Sequence, residues 1–141
     1  MKIKVKYHGE VSPLQKISKG DWIDLRVSED IDMKAGEFKL IPLGVSIKLP
    51  KGYEALVIPR SSTFHRYGIL QANSVGLIDN TYCGDDDMWM FPAFATRDIH
   101  IDKDTRICQF RAQKSMRKVK FETVETLSGV NRGGFGSSGR K

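Results

Sequence analysis

Short runs that alternate apolar and polar residues, each stopped by Gly, Pro, Asp or Asn, constrain this chain more than any other feature. Ile3, Val5 and Tyr7 share one side of the first run, Phe38, Leu40 and Pro42 one side of another, and Val45, Ile47 and Leu49 one side of a third. Further β-like runs cover residues 53–58, 68–71, 88–95, 106–112 and 119–124. A period of two marks strands, and many short strands separated by turn residues predict an all-β barrel or sandwich. One stretch carries a helix start signal. In residues 61–67, Ser-Ser-Thr-Phe-His-Arg-Tyr, a serine can cap the free backbone N–H groups of one or two turns, which predicts a single short helix inserted between strands.

The 141 residues suit one domain. A core of that size needs neither disulfides nor a structural metal to hold it. Cys83 and Cys108 form no Cys-x-x-Cys pair and read as ordinary reduced thiols. No apolar run approaches the roughly 18 residues of a membrane span. The N-terminal Met-Lys-Ile-Lys-Val-Lys also lacks the apolar stretch of a secretory signal, so a cytoplasmic protein is expected, with no membrane partner. The 23 basic and 17 acidic residues leave a charge of +6, which suits a polyanion and leaves nucleic acid, a nucleoside triphosphate and mere solubility open. Composition shifts near Leu127, where the chain becomes rich in Gly and Ser and carries Arg132, Arg140 and Lys141. A domain over residues 1–127 and a flexible arm over 128–141 are therefore expected.

Three segments carry chemistry. Pro59-Arg60-Ser61-Ser62 lies where a strand passes into the short helix, so an arginine, two hydroxyls and helix-start amides converge as an anion site. The segment from Asn73 to Asp85 holds an amide, a carboxylate and an aromatic ring. Asp79, preceded by Leu77 and Ile78, is expected to be partly buried beside a turn, where a desolvated carboxylate can act as a general base on water. Gly133-Gly134-Phe135-Gly136-Ser137-Ser138-Gly139-Arg140 is similar to a phosphate-cradling glycine loop but lacks the Lys-Ser/Thr ending of a Walker loop. Each alone has a bland reading: a helix cap, an Asp bonding turn amides, a tail.

Taken together with Asp24-Leu25-Arg26 and Arg106-Ile107-Cys108-Gln109, and with Gly76-Leu77-Ile78-Asp79-x-x-Tyr82-x-Gly84 in the second segment, the chain resembles the trimeric dUTPases, whose five motifs occur in this order. The resemblance implies a distorted jelly-roll-like β-barrel with one short helix and a mobile C-terminal arm. It also implies hydrolysis of dUTP to dUMP and pyrophosphate, by Mg2+-assisted attack of water on the α-phosphorus. That activity limits uracil in DNA and supplies dUMP for dTMP synthesis. By the same resemblance Asp79 is the base, and Asn73 with the backbone of Gly76, Ile78 and their neighbours forms a narrow hairpin pocket that reads uracil. Tyr82 packs on the deoxyribose. Arg60, Ser61, Ser62 and Gln109 hold phosphates. Asp24 acts near the metal through water, with no direct protein ligand, because Mg2+ keeps its waters and is held largely by substrate phosphates. The arm brings Phe135 over the base and Arg132, Ser137 and Ser138 to the terminal phosphates, with Gly136 among its substrate-binding residues. Many members carry the arm arginine five residues before the aromatic, where this chain has Val130. A homotrimer with shared active sites is implied as well.

Other readings have their own signatures. A dCTP deaminase of the same fold uses a glutamate about ten residues after the motif aspartate, where Trp89 stands here. A dUTPase-like regulatory protein that binds a repressor or other partner is compatible with catalysis. A nucleic-acid-binding barrel needs clustered cations, and here they are scattered, so no specific nucleic acid is expected. Trp89 and Phe91 read as core or subunit packing, with a lid over the base as the lesser alternative.

Overall fold

The computed structural model describes residues 1–136 and Gly139. Among these the chain forms β1 (Lys4–Tyr7), β2 (Ile23–Arg26), β3 (Ile31–Met33), β4 (Phe38–Pro42), β5 (Val45–Lys48), β6 (Tyr53–Pro59), α1 (Thr63–Tyr67), β7 (Ile69–Gln71), β8 (Gly76–Ile78), β9 (Met90–Ala95), β10 (Ile99–Ile101) and β11 (Arg106–Lys114). All pairings are antiparallel. The largest sheet runs β2-β11-β6-β8, a second runs β4-β9-β7, and β1-β5 and β10-β3 form two-stranded ladders. These ladders surround one core without joining into a single closed barrel.

The alternation explains the core. Leu25, Ile41, Val45, Ile47, Ala55, Val57, Phe91 and Ala93 point inward from their strands and are buried. Trp89, just before β9, is fully buried and meets Phe110 edge-on, with ring centroids 5.1 Å apart at 82°. On β4 the alternation is real but its apolar members Phe38 and Leu40 face outward while Ile41 enters the core. Phe94 pairs with Phe38 on one side and Leu70 on the other, so Phe38, Leu40, Leu70 and Phe94 form a continuous exposed apolar face on the β4-β9-β7 sheet.

A bulge positions the helix start. The β11–β2 register slips between Arg106 and Cys108, and both Ile107 and Cys108 are buried. The extra residue leaves ladder groups unpaired. The Ile107 carbonyl accepts instead from the Arg60 N–H at 3.4 Å and the Thr63 hydroxyl at 2.6 Å, tying the 60–63 turn to β11. The expected serine cap is not formed: Ser62 occupies the N-cap position without a side-chain cap bond. Thr63 does the turn-closing, accepting from the Arg60 N–H at 3.0 Å through its Oγ1. Gly68 ends the helix at φ 61°, where a Cβ would also lie 2.9 Å from Arg97.

The expected strand at 119–124 does not form. Ser115 N–H bonds Gly52 O at 2.9 Å, and every described residue from Ser115 to Gly136 is exposed, Phe121 to 92%. β-propensity is realised only against a partner strand, and no sheet edge in this chain takes the segment. The sheets thus end at Lys114, before the compositional shift at Leu127. Among the described residues, no helix is long and apolar enough to cross a membrane.

Candidate active site

The sheet β2-β11-β6 brings the phosphate-binding candidates together. Gln109 pairs with Asp24 on one side and Ile58 on the other, so the three share a row across the sheet. Arg60, one residue past β6, reaches back to this row and forms an ion pair with Asp24, Nε to Oδ1 at 3.2 Å. Arg106 donates to Asp24 Oδ2, also at 3.2 Å. One carboxylate, with 26% of its side chain exposed, thus holds two guanidinium groups side by side. Gln109 Nε2 donates to Pro59 O at 3.1 Å, which aligns its amide beside the Arg60 turn. Ser61 is exposed and Ser62 half-buried, and neither hydroxyl bonds another described residue. The result is an anion cradle of two arginines, two free hydroxyls and an amide. Arg106 opens the Arg106-Ile107-Cys108-Gln109 motif, and the sequence alone does not mark it as a site residue. Its signal is that it begins the strand carrying Gln109, opposite Arg26, two residues along β2 from Asp24.

The second cluster lies elsewhere. Asp79 follows β8, the edge strand of its sheet, and is exposed, contrary to the expectation of partial burial. Its Oδ1 accepts the Thr81 hydroxyl at 2.6 Å and the Thr81 N–H at 2.7 Å. These bonds, the hydroxyl first, hold the Asp79 carboxyl below the usual carboxylate range, the opposite of a desolvated acid. Asn80 anchors the same turn by donating from Nδ2 to Pro50 O at 2.9 Å and Tyr53 O at 3.1 Å. Neither Asn80 nor Thr81 was singled out from the sequence. Tyr82 N–H closes the turn on Asp79 O at 3.0 Å, and its hydroxyl donates to Met88 O at 2.9 Å.

The expected hairpin around these residues is not laddered. β7 pairs with β9 and β8 with β6, so Asn73 lies on an exposed turn between two sheets. Gly76 is buried at a close approach: a Cβ there would stand 3.2 Å from Val57 Cβ and 3.4 Å from Gln71 Nε2. Ile78 packs its side chain against the core and leaves its backbone at the edge.

One chain does not join the two clusters. Ala55 pairs with Ile78, which puts Asp79 level with Glu54, whereas Arg60 lies six residues further along the same strand direction. At roughly 3.3 Å per residue that is about 20 Å. Arg132, Phe135 and Gly136 are exposed, and none makes a hydrogen bond or ion pair to the sheets. Ser137 and Ser138 lie outside the described residues. Trp89 and Phe91 are fully buried, so neither has a face to lay on a base. Cys83 and Cys108 are free thiols, and burial pushes the Cys108 thiol up, which leaves it inert. Among the described residues, one group has ligand atoms close enough to share an ion: Asp30, His100 and Asp102, exposed and within 4.8 Å of one another. It sits around β3 and β10, a ladder separate from both clusters.

The dUTPase family profile matches residues 15–139, a span that takes in both clusters. The chain belongs to the dUTPase family. Its sequence is 53% identical, over the whole of both chains, to an SPbeta prophage-derived deoxyuridine 5'-triphosphate nucleotidohydrolase of Bacillus subtilis. A deoxyuridine 5'-triphosphate nucleotidohydrolase of Rickettsia prowazekii is 40% identical over 79% of this chain and 75% of its own. Among solved structures, a Staphylococcus bacteriophage 80alpha dUTPase variant with dUpNHpp superposes with a TM-score of 0.81 at 18% identity, covering 99% of both chains. The dUTPase of Streptococcus mutans gives 0.73 at 19% identity over 82% of this chain and 98% of its own. These structural likenesses establish the dUTPase fold.

Proposed function

We propose that this member of the dUTPase family hydrolyses dUTP to dUMP and pyrophosphate. The full-length identity with a named deoxyuridine 5'-triphosphate nucleotidohydrolase carries this reading. The chemistry of the two clusters is consistent with it. In this reading Asp79 takes the proton of the attacking water. Arg60, Arg106, Ser61, Ser62 and Gln109 hold the phosphates and spread the charge that builds on the leaving pyrophosphate. Asn73, the backbone of Gly76 and Ile78, and Tyr82 line the nucleoside pocket. A pocket that hydrogen-bonds the uracil edge rejects cytosine because its buried donors and acceptors would be left unpaired.

Mg2+ fits this donor set as an ion carried by the triphosphate. Asp24 already holds two arginines and provides no cage, but its part-exposed carboxylate can meet a metal-bound water. When bound, the ion supplies charge neutralisation of the phosphates and polarises the α-phosphoryl group.

The working unit in this reading is a homotrimer with shared sites. The gap of about 20 Å between Asp79 and Arg60 is far longer than a triphosphate, so in this reading a second chain brings one cluster to the other. The apolar face of Phe38, Leu40, Leu70 and Phe94 supplies surface for that contact. It continues through β7 into the turn that leads to β8 and Asp79. Residues 128–141 serve as the arm, with Phe135 over the base, Arg132, Ser137 and Ser138 at the phosphates, and Gly136 among the substrate contacts. Ordering a glycine-rich arm costs entropy, so closure requires the bound nucleotide.

The test is pyrophosphate release from dUTP, dCTP, dTTP and UTP, each with Mg2+ and with chelator. Mg2+-dependent release from dUTP alone is expected. No release from any of the four by folded oligomeric protein would overturn the assignment.

A further inference from the structure

A solvent-exposed aspartate at the end of a strand ordinarily samples several rotamers. Asp79 is held to one by a single neighbour. Thr81 directs both its N–H and its hydroxyl at Oδ1, at 2.7 and 2.6 Å, while Oδ2 accepts from no described residue. An amide two residues on is the usual partner of a turn aspartate. The second donor is particular to a residue with a β-hydroxyl, which alone can reach the same oxygen from the same position. The turn that presents Thr81 is itself fixed, because Tyr82 N–H bonds Asp79 O and Asn80 is anchored on Pro50 O and Tyr53 O. No lysine, arginine or histidine among the described residues pairs with Asp79. Glu54, level with it on β6, is engaged by Gln113 Nε2 at 3.3 Å.

We propose that Thr81 is a positioning residue for dUTP hydrolysis, locking Oδ1 of Asp79 so that Oδ2 alone faces the attacking water. The inference rests on the reading of Asp79 as the base. In the step, the water oxygen bonds the α-phosphorus as its proton passes to Oδ2. The bond from the α-phosphorus to the α–β bridging oxygen breaks, and pyrophosphate leaves with that electron pair. Oδ2 then returns its proton to solvent. Thr81 keeps both bonds to Oδ1 throughout, so the carboxylate does not have to reorient. The same two donors favour the ionised form, which extends the carboxylate's competence below the ordinary aspartate range.

The experiment compares Thr81→Val, Thr81→Ala and Thr81→Ser with Asp79→Asn in the full-length protein with Mg2+ and dUTP. Thr81→Val and Thr81→Ala should lower kcat by about tenfold or more, the scale of one hydrogen bond to a charged group. KM should change little. The acidic limb of the kcat–pH profile should move to higher pH, because losing the hydroxyl lets the carboxyl rise toward its ordinary range. Thr81→Ser should recover most of the loss. Wild-type kcat and an unshifted acidic limb in Thr81→Val, with Asp79→Asn inactive, would overturn the role of Thr81 alone. An active Asp79→Asn would overturn the reading of Asp79 as base. Residue 81 is exposed, so matched melting temperatures will separate a catalytic loss from unfolding.

Discussion

Asp79 and Arg60 stand at opposite ends of one strand, about 20 Å apart along β6. The separation is built into the ladder. Antiparallel pairing of Ala55 with Ile78 sends β8 away from the end of β6 where Arg60 meets Asp24. In the proposed reading, Asp79 of one chain therefore serves a phosphate held at Arg60 of another.

Mixing variants exposes this arrangement. Asp79→Asn and Arg60→Ala should each be nearly inactive alone, while an equal mixture refolded together should recover activity. Random assortment in a symmetric assembly leaves about a quarter of sites with both native groups. Steady-state pyrophosphate release measures it, and a mixture no more active than its parts would mean that each site is built from one chain.

Phe94→Glu puts a charge at the centre of the exposed apolar face, between Phe38 and Leu70. In the single chain this side chain is solvent-exposed, so the fold should survive with an unchanged β-type circular dichroism spectrum. Sedimentation should show a monomer, and dUTP turnover should be lost. An intact, active oligomer would assign the face to something other than a second copy.

Truncation after Gly129 removes Arg132 and Phe135 but no strand. Melting temperature and oligomeric state should be unchanged, with turnover down by about a hundredfold as closure over the nucleotide is lost. Full activity in the truncated protein would make the segment only a tail.

Trp89→Ala should destabilise the fold by about 3–5 kcal/mol, the usual effect of emptying an aromatic core site. Trp89 is fully buried and braced edge-on by Phe110. Denaturant unfolding gives the value, and a near-neutral result would show that the core closes over the gap.

His100 lies between Asp32 Oδ1 at 2.7 Å and Asp102 Oδ1 at 2.9 Å, and hydrogen bonds to these carboxylates, Asp32 first, raise its pKa above the ordinary histidine value. A raised folded-state pKa means that the protonated ring contributes stability in full below the unfolded-state value. That contribution is lost as pH climbs through the folded-state value. The melting temperature should therefore fall as pH rises from the ordinary histidine value through the raised folded-state value, and His100→Gln should flatten that fall. An identical pH dependence in the variant would remove His100 from it.

Period two in the sequence was enough to place most strands, because neighbouring side chains in a strand must point to opposite faces. The Ser-Ser-Thr start was enough to place the helix. The ordered motifs were enough for the family, since each demands particular residue types at particular spacings. Alternation reports which residues share a face, however, and not which face turns inward. Phe38 and Leu40 share a face as expected, yet only the packing of Ile41 into the core shows that this face is the outer one. Likewise residues 119–124 have strand composition but no partner edge, and pairing is a property of distant chain. The recruitment of Arg106 to Asp24 depends on the β11–β2 register and its bulge. The exposure of Asp79 depends on β8 taking the edge of the sheet, with no strand beyond it among the described residues. Residue types and their spacing therefore determined the elements and the chemistry available. Tertiary structure decided which groups meet, because register and facing are set by contacts between segments far apart in the chain.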